Sequence, residues 1–155
     1  MSQVASIYLM SLEAYSCVLR GDDAAIVAGD VEFAAELDKA WHAIHFLVTG
    51  DGDGDEDGKY TLLTGGVQMK GISEHCKAHS PDSIRTLHHR LSSTSVPAIM
   101  ANFDAEAFNA KEIYGGPGWD SSDWTRNYIE EHLKTFISVI GQAAGQNKGI
   151  LVVIS

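Results

Sequence analysis

Apolar positions change their spacing repeatedly along the chain, and each change predicts an element. Gln3–Ser11, QVASIYLMS, is a short apolar run rich in strand formers and predicts a first strand. Ser11 then stands where a helix cap belongs. Leu12, Tyr15, Val18 and Leu19 follow at helical spacing, and Gly21 ends the run. The stretch from Asp22 to Gly50 predicts a short helix and then a long one. In the long helix Leu37, Trp41, Ile44 and Val48 share one face, with Asp38, His42, His45 and Thr49 on the neighbouring face. Apolar residues wrap more than half of its girth, so it is expected to be buried and central.

The second half continues in the same way. KYTLLTGGVQMKG predicts a loop or short helix, a glycine break and a strand. GISEHCKAH alternates weakly and predicts another strand, with Cys76 and Ala78 on one side and His75, Lys77 and His79 on the other. Ser80 followed by Pro81 is a helix start. Asp104 caps a short helix that runs into Gly-Gly-Pro-Gly. DSSDWTRNYIEEHLKTFISVIGQAAGQNKG predicts a second long helix, its apolar stripe carrying Trp124, Tyr128, Leu133, Phe136, Ile137 and Ile140. GILVVIS is a closing strand. The pattern is that of one α+β domain over residues 1–155. A small mixed or antiparallel sheet from N-terminal, middle and C-terminal strands is packed by two long helices and shorter ones.

Charge adds a direction. Eleven Lys and Arg against 21 Asp and Glu give a formal charge of −10. Asp51, Asp53, Asp55, Glu56 and Asp57 crowd into one short stretch. Such a surface repels nucleic acid and anionic membrane, and attracts basic proteins and cations. Solubility alone is the plainer explanation of acidity. No apolar run reaches the roughly 20 residues that span a bilayer. The N-terminus lacks a basic region and a small-residue cleavage site, so no signal peptide is expected. Cys17 and Cys76 form no spacing motif and suit free thiols in a cytoplasmic protein.

LDKAWHAIHFLVTG (Leu37 to Gly50) closely resembles the signature helix of the YfbM-like family, a bacterial domain of unknown function numbered 1877. SPDSIRTLHHRLSS and FDAEAFNAKEIYGGPGW are similar to two softer motifs of that family, and the resemblance covers nearly the whole chain. It marks Asp38, Lys39, Trp41, His45, Thr49, Gly50, Tyr114 and Trp119. It implies an α+β fold and no established activity. The chain departs from the pattern where Gly115 follows Tyr114 in place of a proline, and in the aspartate-rich insert after Gly50. Related small bacterial domains often act as immunity proteins, an analogy of kind only.

The candidate chemistry is sparse. Asp53, Asp55, Asp57 and Gly58 match positions one, three, five and six of an EF-hand-type loop, but Thr64 stands where the bidentate Glu belongs. A solvated or partner-binding loop is the competing reading, and no metal is assigned. His42 and His45 with Asp38 could form a zinc face; the structural alternative has Asp38 bonding His42, and His45 donating to a buried carbonyl. His75 and His79 would lie about 13 Å apart on a strand, too far for one metal. No nucleophile elbow, phosphate loop or dinucleotide fingerprint is present, so no cofactor and no enzyme activity is expected. Around GGPGWDSSDW two arrangements compete. Either Trp124 is core and Tyr114 packs the turn, or Trp119 is exposed beside Asp120 and Asp123 as an interface anchor.

The leading expectation is therefore an immunity or antitoxin-like protein that holds a basic toxin domain and occludes it. Its contact residues would be Asp51, Asp53, Asp55, Glu56, Asp57, Trp119, Asp120 and Asp123. The first alternative is a small-ligand binder or enzyme with a pocket around Asp38, Trp41, His45 and Tyr114. The second is a calcium-stabilised structural domain.

Overall fold

A computed structural model describes residues 3–50, 62–69, 75–115 and 118–155. Strand β1 (Ala5–Met10) alternates as its sequence requires. Ala5, Ile7 and Leu9 face one side, Tyr8 and Met10 the other. Ser11 then caps α1 (Leu12–Leu19), its side chain accepting from the Ala14 N–H at 3.1 Å. Two 3-10 turns lead into β2 (Val31–Glu36). A third turn (Asp38–Ala40) winds directly into α2 (Trp41–Thr49), which Gly50 closes in the left-handed conformation at φ 75°. Short strands β3 (Val67–Gln68) and β4 (Cys76–His79) follow. Then come α3 (Pro81–Ser92), α4 (Val96–Met100), α5 (Ala105–Ala110), α6 (Asp123–Gly145) and β5 (Gly149–Ile154).

The strand order is β2-β1-β5-β4-β3, with every neighbouring pair antiparallel. The fold is thus α+β, with an open antiparallel sheet whose central strand is the last in the chain. Ile150, Val152 and Ile154 of β5 join Ala5, Ile7 and Leu9 beneath a layer built mainly from α2, α3 and α6. Leu151 of β5, with Met10, Cys76 and Ala78, packs on the opposite face against Ala14 and Val18 of α1. On α6 the buried line is Thr125, Ile129, Leu133, Phe136, Ile140 and Ala143. Fully burying each of its Ile and Leu residues contributes about 1.5–3 kcal/mol before the cost of ordering the chain.

Two expectations need correction. The long helix expected to carry Leu37 and Asp38 begins at Trp41, because Val31–Glu36 is a strand paired to β1 and a 3-10 turn follows it. Its Glu and Ala residues favour a helix in isolation, but the paired edge wins. A bulge between Ile7 and Tyr8 shifts the register, so that Ala35 faces the main core and Phe33 packs on Tyr8 across the other face. The second correction concerns α6. Trp124, assigned to the apolar stripe, is 73% exposed, and Thr125 takes the buried position.

Candidate functional site

The signature residues of α2 build a buried knot. Trp41 is fully buried, and its indole Nε1–H donates to the Gln3 carbonyl at 3.1 Å. The Tyr114 ring stacks on Trp41 at 5.5 Å, and its hydroxyl accepts from the Gln3 N–H at 2.6 Å. The Tyr114 N–H donates to His42 Nδ1 at 2.8 Å. The Leu63 N–H donates to His45 Nδ1 at 2.9 Å. Both histidines are therefore acceptors at Nδ1, which places a proton on Nε2 when they are neutral. Gln3, α2, Leu63 and Tyr114 are distant in sequence and are fastened here. This satisfies polar groups that burial would otherwise penalise.

The pocket expected around Asp38, Trp41, His45 and Tyr114 is consequently not one open site. His45 is 0% exposed and Trp41 is sealed beside it. The bonds expected of the polar pair also differ. Asp38 accepts from Tyr128 rather than from His42, and His45 Nδ1 accepts rather than donates. Asp38, by contrast, lines a cleft.

Of the two tryptophans around the glycine turn, Trp124, placed on the buried stripe, is exposed, and Trp119, offered as an exposed anchor in one of two arrangements, is buried. Trp119 is buried, at 7% exposed. Its Nε1–H donates to the Ile113 carbonyl at 2.9 Å, and its ring meets Phe108 edge-on at 6.1 Å. The Asn109 side chain holds its backbone from both ends, accepting from its N–H at 2.8 Å and donating to its carbonyl at 2.7 Å. A side chain at Gly115 would set its Cβ 2.0 Å from Trp119 Cζ2, and the φ there is 155°. A proline, fixed near −65°, has no place in this turn. Trp119 is thus the floor of the site and not an exposed anchor. The exposed tryptophan is Trp124.

Trp124 and Tyr128 lie one turn apart on α6, their rings 5.5 Å apart and parallel within 5°. They face the turn at Asp38–Ala40 across a cleft of about 460 Å³, whose lining includes Asp38, Lys39, Trp119, Asp120 and Thr125. Tyr128 donates its hydroxyl proton to Asp38 Oδ2 at 2.8 Å, while its oxygen accepts from the Lys39 N–H at 3.2 Å. Burial, then the hydrogen bond and charge of Asp38, push the phenol well above its ordinary value. Asp38 holds φ 47°, a left-handed backbone that aspartate tolerates better than most residues. Asp120 Oδ1 accepts from Ser122 N–H, Ser122 Oγ–H and Thr125 Oγ1–H, and these bonds lower its carboxyl below the usual range. Asp123 opens α6 on the exposed side.

The acidic stretch with Asp51, Asp53, Asp55, Glu56 and Asp57 lies outside the described residues, and so does the calcium-loop reading. Another cleft, of about 450 Å³, is lined in part by Thr49, Leu63, His79 and Arg90. Among the described residues no three His, Cys, Asp or Glu side chains gather as a metal-holding group. Cys17 and Cys76 are buried free thiols. No helix among the described residues is long and apolar enough to cross a membrane.

The fold and the α2 signature agree with comparisons to known proteins. The model of DUF1877, a domain of unknown function, matches residues 20–153, and the chain belongs to that family. Among solved structures it is similar to YfbM from Escherichia coli, a protein of unknown function. The TM-score is 0.62 at 16% identity, covering 98% of this chain and 99% of that one. At that identity the likeness is one of fold. No curated protein matches.

Proposed function

We propose that this chain is a binding protein for a basic protein partner, in the manner of an immunity or antitoxin protein that occludes a toxin domain. The observation that carries the reading is Trp124. A 73% exposed indole stands beside a cleft bearing Asp38 and Asp120, on a chain of charge −10. An exposed tryptophan costs solubility unless something covers it, and large aromatics rimmed by polar groups are favoured interface anchors. The excess negative charge would speed the encounter with a basic surface, while the aromatic contact would set the rate of release. The acidic stretch Asp51–Asp57 would add to the negative charge that draws a basic partner, and Asp123 would stand at the rim.

The test is capture from a lysate of the native host at low and at high salt, followed by reconstitution from purified components. A single stoichiometric basic protein, weakened as salt rises and by neutralising all five acids of the stretch, supports the reading. An affinity that survives their neutralisation removes the electrostatic mechanism.

A further inference from the structure

We propose that the cleft between the Asp38–Ala40 turn and the start of α6 is a receptor for one arginine side chain of the partner. The inference rests on the binding function proposed above and names the chemistry of its contact. Three observations converge on a planar cation. The first is the aromatic wall: Trp124 and Tyr128 present stacked, nearly parallel rings, with Trp124 largely in solvent. The second is Asp38, whose carboxylate the Tyr128 hydroxyl holds in place at 2.8 Å, leaving Oδ1 and the remaining lone pairs for a ligand. The third is the charge balance. The lining carries Asp38 and Asp120 against Lys39, and no Lys or Arg ion pair to either carboxylate forms among the described residues.

A guanidinium fits these features better than an ammonium. It is flat, so it can lie on an indole while its edge N–H groups reach a carboxylate. It is also less strongly hydrated, so it gives up less on entering. A phosphate would face two carboxylates with only Lys39 to offset them. A neutral ring would leave both charges uncompensated. The left-handed backbone at Asp38 and the double use of the Tyr128 hydroxyl pre-position the acceptor before any ligand arrives.

The test uses the purified full chain and capped single residues as probes: N-acetyl-arginine methylamide, its lysine counterpart and its uncharged citrulline counterpart. Binding is followed by amide chemical shifts. Arginine should saturate in the millimolar range typical of one side chain, with shifts centred on Asp38, Lys39, Thr125 and Tyr128. Lysine should bind more weakly and citrulline not at all. Trp124→Ala should weaken arginine binding about threefold, the loss of one cation–π contact on an exposed ring. Asp38→Asn, which keeps an oxygen for Tyr128, should weaken it comparably. Citrulline binding as tightly as arginine, or shifts spread over the acidic surface and indifferent to Trp124→Ala, would overturn the proposal. The two readings separate cleanly. A captured basic partner whose affinity ignores Trp124→Ala overturns the cleft and leaves the binding function standing. Saturable arginine binding without any captured basic protein does the reverse.

Discussion

Replacing Trp119 and Trp124 one at a time separates the core from the candidate contact surface. Trp119→Ala removes a buried ring from beside Phe108 and strands the Ile113 carbonyl that its Nε1–H satisfies. Large-to-small substitution of a buried tryptophan costs about 3–5 kcal/mol, within which the lost hydrogen bond accounts for about 1 kcal/mol. At about 2.1 cal/mol/K per residue, a chain of 155 residues has an unfolding entropy of about 0.3 kcal/mol/K. A loss of about 4 kcal/mol therefore lowers the Tm by about 12 °C. Trp124→Ala removes a ring that is 73% exposed, and should change stability by about 0.5 kcal/mol or less, under about 2 °C. Thermal and urea unfolding followed by circular dichroism read both. Fluorescence gives an independent sign. Trp41 and Trp119 are buried, so the emission of the Trp124→Ala protein should move to shorter wavelength. A large loss of stability in Trp124→Ala, or a neutral Trp119→Ala, would refute the assignment of floor and rim.

Two further predictions concern protons. Tyr128 should ionise well above the ordinary phenol range in an alkaline titration followed by phenolate absorbance, and Asp38→Asn should bring it down by removing the neighbouring charge. A Tyr128 that titrates at the ordinary phenol value would contradict its bond to Asp38. Burial, assisted by the charge of Asp23, pushes the Cys76 thiol up from 9.0 to about 11. The unfolded chain then loses that proton first, so stability should fall as pH rises from about 9 toward 11. Cys76→Ala should flatten that part of the profile. Neither Cys17 nor Cys76 should react with a thiol reagent in the folded protein at neutral pH, because both are buried.

Much of this architecture was legible in the sequence wherever local chemistry decides it. Ser11, Ser80 and Asp104 all cap helices as their side chains predict. The alternation of β1 and the apolar run of β5 were readable for the same reason. Strand β2 was not, because Val31–Glu36 owes its conformation to pairing with β1, a partner more than twenty residues away. The alternation of Val31 and Phe33 was its faint signal. Helix α4 also escaped notice, although Ser95 caps it and Pro97 lies in its first turn. The site was half legible. Asp38 and the tryptophan-bearing turn were singled out, but Trp124 was placed on the buried stripe and the exposure of Trp119 was left between two arrangements. The spacing of Thr125, Ile129, Leu133, Phe136 and Ile140 carried the answer, since it sets Trp124 one position off the buried line. Tyr128 could not have been found as the partner of Asp38, because 90 residues separate them and only the packed helix brings them together.

The measurement that bears most directly on the account is the association kinetics of the purified chain with its captured partner across ionic strength, for the native sequence and for Trp124→Ala. The account predicts an association rate that falls steeply with salt in both proteins, and a dissociation rate that rises in Trp124→Ala. An association rate indifferent to salt, together with a dissociation rate unchanged by Trp124→Ala, would contradict it.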